Sequence, residues 1–343
     1  MPVGHHPDSM APMDTGFLKP FVVAAIRTLH EFCGIDATLK AVVATTIDSP
    51  RYPVDIAGVI GITGKTFRGA MAISFPKETF LFVMNKMLKE NHTELTQDLE
   101  DGAAEFSNVI FGQAKAVLNQ AGQQIKMAIP SVIKGMELES GCPTSTNGDL
   151  VILMTEAGPL YIEFAGEDVE HQAHHPAPTG AAVPKLDAHV LMSFVEGIRK
   201  TMETQCFVHP AAGTPFFKKP DSDFRFEVGG LVGVTGAAFS GAFSICFEKS
   251  VFLLLVENMT GEKCTEVTRE IEDAAAELVN IVFGSAKHVL NAEGYALRTA
   301  IPTIIRGKNV QSIYPSQRQP IVVPFSLGGG QFWVEFAFEA VQH

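Results

Sequence analysis

The chain has 343 residues, a length that favours about two domains, each with its own core. Its residues are 46% hydrophobic and 19% charged, which is typical of a globular protein and excludes a disordered one. The formal net charge of −12 disfavours nucleic-acid partners, because these need a basic surface that displaces counterions from phosphates.

The first half alternates short apolar runs with amphipathic segments. FRGAMAISF, residues 67–75, is bounded by glycine and proline and predicts a strand. Thr96 is followed by a helical periodicity with early acidic residues, so we expect it to open a long helix. In chain order the predicted elements are a helix over 15–33, strands over 38–47, 54–63 and 67–75, a helix after Pro76, a helix over 97–121, and strands over 124–133, 150–155 and 160–165. This order predicts an α+β fold, with a mainly antiparallel sheet packed against two long helices.

Membrane, secretory and metal-binding classes are disfavoured as well. No run of 18 apolar residues is present, and residues 1–16 lack the pattern of a secretory signal. The five cysteines include no CxxC pair, which favours free thiols in a reducing cytoplasm. We therefore expect a cytoplasmic protein with no membrane partner and no metal site. Histidines that could bind adventitious metal lie in Pro/Gly-rich segments, at His5, His6, His171, His174 and His175.

The sequence contains a tandem duplication. Shifted by 172 residues, residues 58–135 overlay residues 230–307 without a gap, and nearly half of the positions are identical. AKAVLNQAGQQIKMAIPSVIKG, for example, meets AKHVLNAEGYALRTAIPTIIRG. So long a period indicates duplicated domains and not a solenoid.

The duplication sets the expected domain limits. We expect a flexible N-terminus over 1–14, a first domain over 15–165, a linker over 166–186 and a second domain over 187–340. The Pro, Gly, Ala and His content of the linker, without apolar periodicity, is typical of such a connection.

The long helix has a polar face of unusual composition. On a helical wheel its core face comprises Leu99, Ala103, Phe106, Ile110, Ala114, Val117 and Leu118. The opposite face carries Asp101, Glu105, Asn108, Gly112, Lys115 and Asn119, and the second copy has Asp273, Glu277, Asn280, Gly284, Lys287 and Asn291 there.

All six residue types of this polar stripe are the same in the two copies. Other positions on the solvent-facing side differ, such as Gln113, whose equivalent is Ser285. A glycine in a helix interior costs up to about 1 kcal/mol against alanine. Gly112 and Gly284 would allow a partner's backbone to approach the helix, so we interpret the stripe as a docking surface with an amide and a carboxylate at its centre. A lone carboxylate and amide three residues apart would be uninformative, since any exposed helix offers such pairs.

The stripe carries a resemblance to a known family. The spacing D-x3-E-x2-N-x21-P, read at Asp101, Glu105, Asn108 and Pro130 and again at Asp273, Glu277, Asn280 and Pro302, resembles the signature of the CheC/CheX/FliY phosphatases of bacterial chemotaxis. It occurs once per domain, as in CheX-like members. CheX-like proteins form homodimers through their sheets, so we hypothesise that the two copies form an internal pseudo-dimer.

The resemblance implies a function for these residues. Such proteins hydrolyse the aspartyl-phosphate of a CheY-like response regulator, which supplies Mg²⁺, so no cofactor of the chain's own is expected. Asn108 and Asn280 would orient the attacking water, and Glu105 and Glu277 would pair with the regulator's active-site lysine. Docking to the partner is expected at Asp101, Gly112, Lys115, Asp273, Gly284 and Lys287.

Two other interpretations stay open. One is a non-catalytic module that docks a response regulator or the flagellar switch, and the weaker one is a purely structural duplicated domain. Retention of both Glu and Asn in both copies favours the enzyme, because docking alone does not require the amide.

Overall fold

The computed structural model describes residues 15–45, 49, 52, 54–64, 67–141, 148–168, 187–219, 222, 224–314 and 319–341. The predicted flexible N-terminus and residues 169–186 of the predicted linker lie outside these residues. So do Cys142 and the five histidines considered above as adventitious metal ligands.

The two halves have the same order of elements, except that two short strands, β8 and β9, take the place of β1 in the second half. The first half contains α1 (Thr15–Cys33), β1 (Thr38–Thr45), β2 (Val54–Thr63), β3 (Phe67–Phe75), α2 (Lys77–Leu88), α3 (Gln97–Gln120), β4 (Lys126–Met127), β5 (Ser131–Gly141), β6 (Gly148–Thr155) and β7 (Gly158–Asp168). The second contains α4 (Ala188–Gln205), β8 (Ala211–Ala212), β9 (Phe216–Phe217), β10 (Phe226–Thr235), β11 (Phe239–Phe247), α5 (Lys249–Thr260), α6 (Arg269–Ala292), β12 (Arg298–Thr299), β13 (Thr303–Ile313), β14 (Ile321–Leu327) and β15 (Gly330–Ala340). The α+β prediction is confirmed, with α1 and α3, and α4 and α6, as the long helices of the two halves.

The described strands form one 15-stranded sheet in the order β1-β6-β7-β3-β2-β5-β13-β10-β11-β15-β14-β8, with β4, β9 and β12 attached at its sides. The halves join where β5 pairs antiparallel with β13, for example at Glu139 opposite Arg306. Each half has a helix-covered core on one sheet face, and residues of both halves share a third cluster on the opposite face.

Equivalent positions of the two copies meet at the junction between the halves. The hydroxyls of Thr63 and Thr235 lie 2.8 Å apart. A Cβ placed on either Gly61 or Gly233 would lie 2.6 Å from the Cα of the other. Contact between equivalent residues is the mark of a twofold interface. The arrangement agrees with the hypothesis of an internal pseudo-dimer.

Several details differ from the sequence expectations. The strand predicted over 124–133 is two strands, β4 and β5. Both pair with β2, but their registers on β2 differ by one residue, and Pro130, which lacks an N–H, lies directly before β5. Thr96 precedes α3 as predicted, but its hydroxyl makes no capping hydrogen bond. Val117 was expected in the core and is 52% exposed, because the last turn of α3 packs through Leu118 instead.

The ends of the halves are also defined by these elements. β7 continues to Asp168, three residues into the predicted linker, through pairing of Arg68 with Glu167 and of Phe67 with Asp168. Asp187 caps α4 by accepting hydrogen bonds from the N–H groups of His189 and Val190. No described helix has the length and apolarity needed to cross a membrane.

Candidate functional site

An ion pair with a buried carboxylate anchors α3 and α6 at their first turns. Glu100 of α3 is 7% exposed and forms an ion pair with Lys134 of β5. In the second half Glu272 is fully buried and lies 3.4 Å from Arg306 of β13. No helix or strand pattern marks these residues in the sequence, although the carboxylate and the cation are retained in both copies. Because each pair ties the helix to the sheet, the pairs fix the rotation that turns the stripe outward.

The central residues of the stripe are accessible. Glu105 and Glu277 are exposed, and Asn108 and Asn280 are half-buried. Within the part of the chain that the structure describes, none of these four side chains has a hydrogen-bond or ion-pair partner. Burial of the asparagines against their own domain would have excluded a partner, and the structure does not show it.

The helix glycines of the stripe pack against no described residue outside their own helix turn. A Cβ added at Gly112 or at Gly284 would meet no atom within 4 Å. By contrast, a Cβ on Gly197 of α4 would lie 3.1 Å from Val282 O, and one on Gly102 would lie 3.1 Å from the Met84 sulfur. The fold thus accounts for the latter two glycines, but not for Gly112 and Gly284.

One equivalent pair of stripe residues, Asn119 and Asn291, stabilises the fold itself. The Asn119 side chain accepts from Ile125 N–H (2.5 Å) and donates to Ile125 O (3.2 Å). Asn291 holds Leu297 in the same way, at 2.6 and 3.2 Å. These amides position the segment that follows each helix, which explains why both copies retain them.

The charged residues that flank the centre of the stripe are partly accessible as well. Asp101, Asp273, Lys115 and Lys287 are half-buried. Pro130 and Pro302, the last residues of the family-like spacing, are buried directly before β5 and β13.

The described residues offer little redox or metal chemistry. They contain no group of three His, Cys, Asp or Glu that could hold a metal ion. Cys33, Cys206 and Cys246 are buried free thiols, and burial raises the pKa of Cys33 and of Cys206 to about 11. These two thiols are therefore poor nucleophiles at neutral pH.

The fold and this stripe can be compared with known proteins. The chain resembles a CheC-like superfamily protein from Shewanella sp. PV-4, with 32% identity over 45% of this chain and 99% of that one and a TM-score of 0.42. It also resembles the chemotaxis protein CheX from Vibrio vulnificus, with 29% identity over 44% of this chain and 100% of that one and a TM-score of 0.41. The Borrelia burgdorferi CheX, solved in a CheX–CheY–BeF3–Mg²⁺ complex, is 22% identical over 44% of this chain and 97% of that one, with a TM-score of 0.37.

No curated protein matches the chain. The family model described as chemotaxis phosphatase CheX matches twice, at residues 56–154 and 228–326. The two matches cover more than half of the chain, one in each copy of the duplication, and each includes the long helix with its stripe. The chain therefore belongs to the CheX family of chemotaxis phosphatases.

Proposed function

We propose that each half hydrolyses the aspartyl-phosphate of a CheY-like response regulator, with Asn108 and Asn280 orienting the attacking water. The observation that carries the proposal is the state of these two amides. Each lies within reach of a partner, makes no side-chain hydrogen bond to the described residues of its own domain, and is one turn from a helix glycine beside open space.

The asparagines suit this step because an amide both accepts and donates hydrogen bonds. The carbonyl oxygen would accept a bond from the water, and the NH₂ group would donate one, so the water is held in line with the phosphorus. Water oxygen then bonds to phosphorus while the bond to the aspartate oxygen breaks, which releases inorganic phosphate and the free carboxylate. Phosphoryl transfer needs mainly such positioning and charge neutralisation.

The other stripe residues would hold the partner. Glu105 and Glu277, exposed and unbonded among the described residues, would each pair with the regulator's active-site lysine. The open space at Gly112 and Gly284 would admit a partner backbone. Asp101, Lys115, Asp273 and Lys287 would border the contact. Mg²⁺ would neutralise the phosphoryl charge and would come from the regulator, whose phosphorylation site it occupies.

The test is phosphate release from a phosphorylated CheY-like regulator. We expect Asn108→Ala combined with Asn280→Ala to lower release to the regulator's own rate while binding persists. The matched control is Gln113→Ala combined with Ser285→Ala, two neighbouring half-buried positions that differ between the copies, and it should leave release unchanged. The single asparagine variants report whether both halves turn over.

If the double asparagine variant releases phosphate as fast as the parent protein, the enzymatic proposal is refuted. If the parent protein binds the regulator but does not raise phosphate release above the regulator's own rate, the chain is instead the non-catalytic docking module.

A further inference from the structure

A row of basic residues lies at the junction of the two halves. Arg68 of β3 lies opposite Thr63 of β2, and Arg298 of β12 lies opposite Thr235 of β10. Directly opposed residues of antiparallel strands project from the same face. Because the hydroxyls of Thr63 and Thr235 are 2.8 Å apart, the two arginines flank the contact between the halves.

Both guanidinium groups are held in place. Arg298 crosses the junction and its Nη1 donates to Gly64 O at 3.0 Å, beside the strand that carries Arg68. Arg68 donates from Nε to Glu167. A guanidinium held in this way keeps its charge and loses less conformational freedom when a partner binds.

Lys287 of α6 completes the cluster, which we call the basic junction (Arg68, Lys287 and Arg298). Lys287 is seven residues after Asn280, so it lies on the same helix face about 10 Å along the axis. One turn further, Asn291 holds Leu297, the neighbour of Arg298. The pKa of Lys287 is lowered, first by burial and then by the positive charges of Arg68 and Arg298.

The first copy lacks one of these charges. The equivalents of Lys287 and Arg298 are Lys115 and Lys126, but the equivalent of Arg68 is Ser240, which lies opposite Thr235. The acid beside Arg68, Glu167, has an acidic counterpart in Glu339. Of these equivalent positions, the α6 side has three cations and one acid, and the α3 side has two cations and one acid.

We propose that the stripes on α3 and α6 (the α3 surface and the α6 surface) are unequal docking sites. The basic junction makes the α6 surface the stronger site, through contact with an acidic patch of the response regulator. This rests on the proposed function, because it assigns the partner that docks on the stripe. Local positive charge on a chain of net charge −12 attracts a complementary acidic surface and raises the association rate. Two identical subunits would present equal sites, whereas the fused copies allow the difference.

The test measures binding of a CheY-like regulator loaded with BeF3 and Mg²⁺ to each surface separately. Gly112→Gln closes the α3 surface and Gly284→Gln closes the α6 surface without a change of charge, and both side chains enter open space. We expect faster association at the α6 surface, with a steeper loss between low and physiological salt.

Exchanging the residues that differ provides the matched comparison. Arg68→Ser should slow association at the α6 surface about two- to fivefold at low salt, the effect of one partly exposed charge pair, and leave the α3 surface unchanged. Ser240→Arg should accelerate association at the α3 surface by a similar factor. Arg68→Lys should preserve most of the rate, which a loss of folding would not allow.

Equal rates and salt slopes at the two surfaces, or no response to Arg68→Ser and Ser240→Arg, would overturn the inference. So would the absence of binding at both surfaces. The enzymatic proposal fails separately, if phosphate release does not depend on Asn108 and Asn280 while the binding rates still differ.

Discussion

Replacing both stripe glycines by alanine should stabilise the free protein and impair its function. A Cβ at Gly112 or Gly284 enters open space, so it introduces no clash within the fold. Alanine is favoured over glycine in a helix interior by about 0.8–1 kcal/mol. The two positions lie on different helices and share no described neighbour, so their effects should add to about 1.5–2 kcal/mol.

The same substitution should weaken docking, because each methyl group occupies the space that a partner's backbone would use. Overpacking a close contact costs about 1–3 kcal/mol, which corresponds to a roughly 5- to 150-fold loss in phosphate release at limiting regulator. Urea unfolding measures the first effect and phosphate release measures the second. Gly197→Ala is the control, since its Cβ would press on Val282 O at 3.1 Å and should destabilise the protein.

The combination of the two results tests the reasoning. A gain in stability with unchanged phosphate release would show that no partner approaches these glycines. A loss of stability would show instead that the fold itself requires them.

Three further changes probe the scaffold around the site. Arg306→Met removes the cation that pairs with the buried Glu272 of α6 and with Glu139 of β5, and it should destabilise the protein by about 3–5 kcal/mol in urea unfolding. Lys308→Met removes an exposed ion pair with Glu137 and should change stability by less than about 1 kcal/mol in the same measurement. Lys287→Gln should raise stability at pH 7 and slow docking on α6. The folded-state pKa of Lys287 lies below its unfolded value, so its positive charge destabilises the fold at neutral pH. This destabilisation decreases as the pH rises through the folded-state pKa and is gone above the unfolded pKa. The stability advantage of Lys287→Gln over the parent should therefore vanish in urea unfolding at alkaline pH. Thr63→Val alone leaves the buried Thr235 hydroxyl without a partner and should cost about 1–3 kcal/mol, whereas adding Thr235→Val should restore most of the loss; a double variant as unstable as the sum of the single ones would contradict the contact.

Local periodicity predicted the elements that carry the site. Helix α3 was expected over 97–121 and occupies Gln97–Gln120, and strand β3 has the predicted bounds, because both patterns depend on neighbouring residues. Val117 was placed wrongly because the wheel assumes that the same face stays covered to the last turn. Where a neighbouring element ends cannot be read from the helix itself.

Contacts between distant segments were beyond such patterns. The burial of Glu100 and Glu272 depends on cations that lie more than thirty residues along the chain. The pairing of β5 with β13 brings the two copies together across a separation that no local pattern encodes. The duplication nevertheless indicated a symmetric contact, since it supplied two copies of one surface.

The structure divides the retained stripe by physical cause. Asn119 and Asn291 are held by their own domains, so retention of these two residues requires no partner. Gly112 and Gly284 have the opposite character, because they cost helix stability and contact nothing that alanine would disturb. The proposed docking of a partner would explain why both copies keep a costly residue that packs against no described residue. Agreement between the copies therefore argues for function at the glycines and at the unbonded Glu and Asn side chains, and not at every position of the stripe.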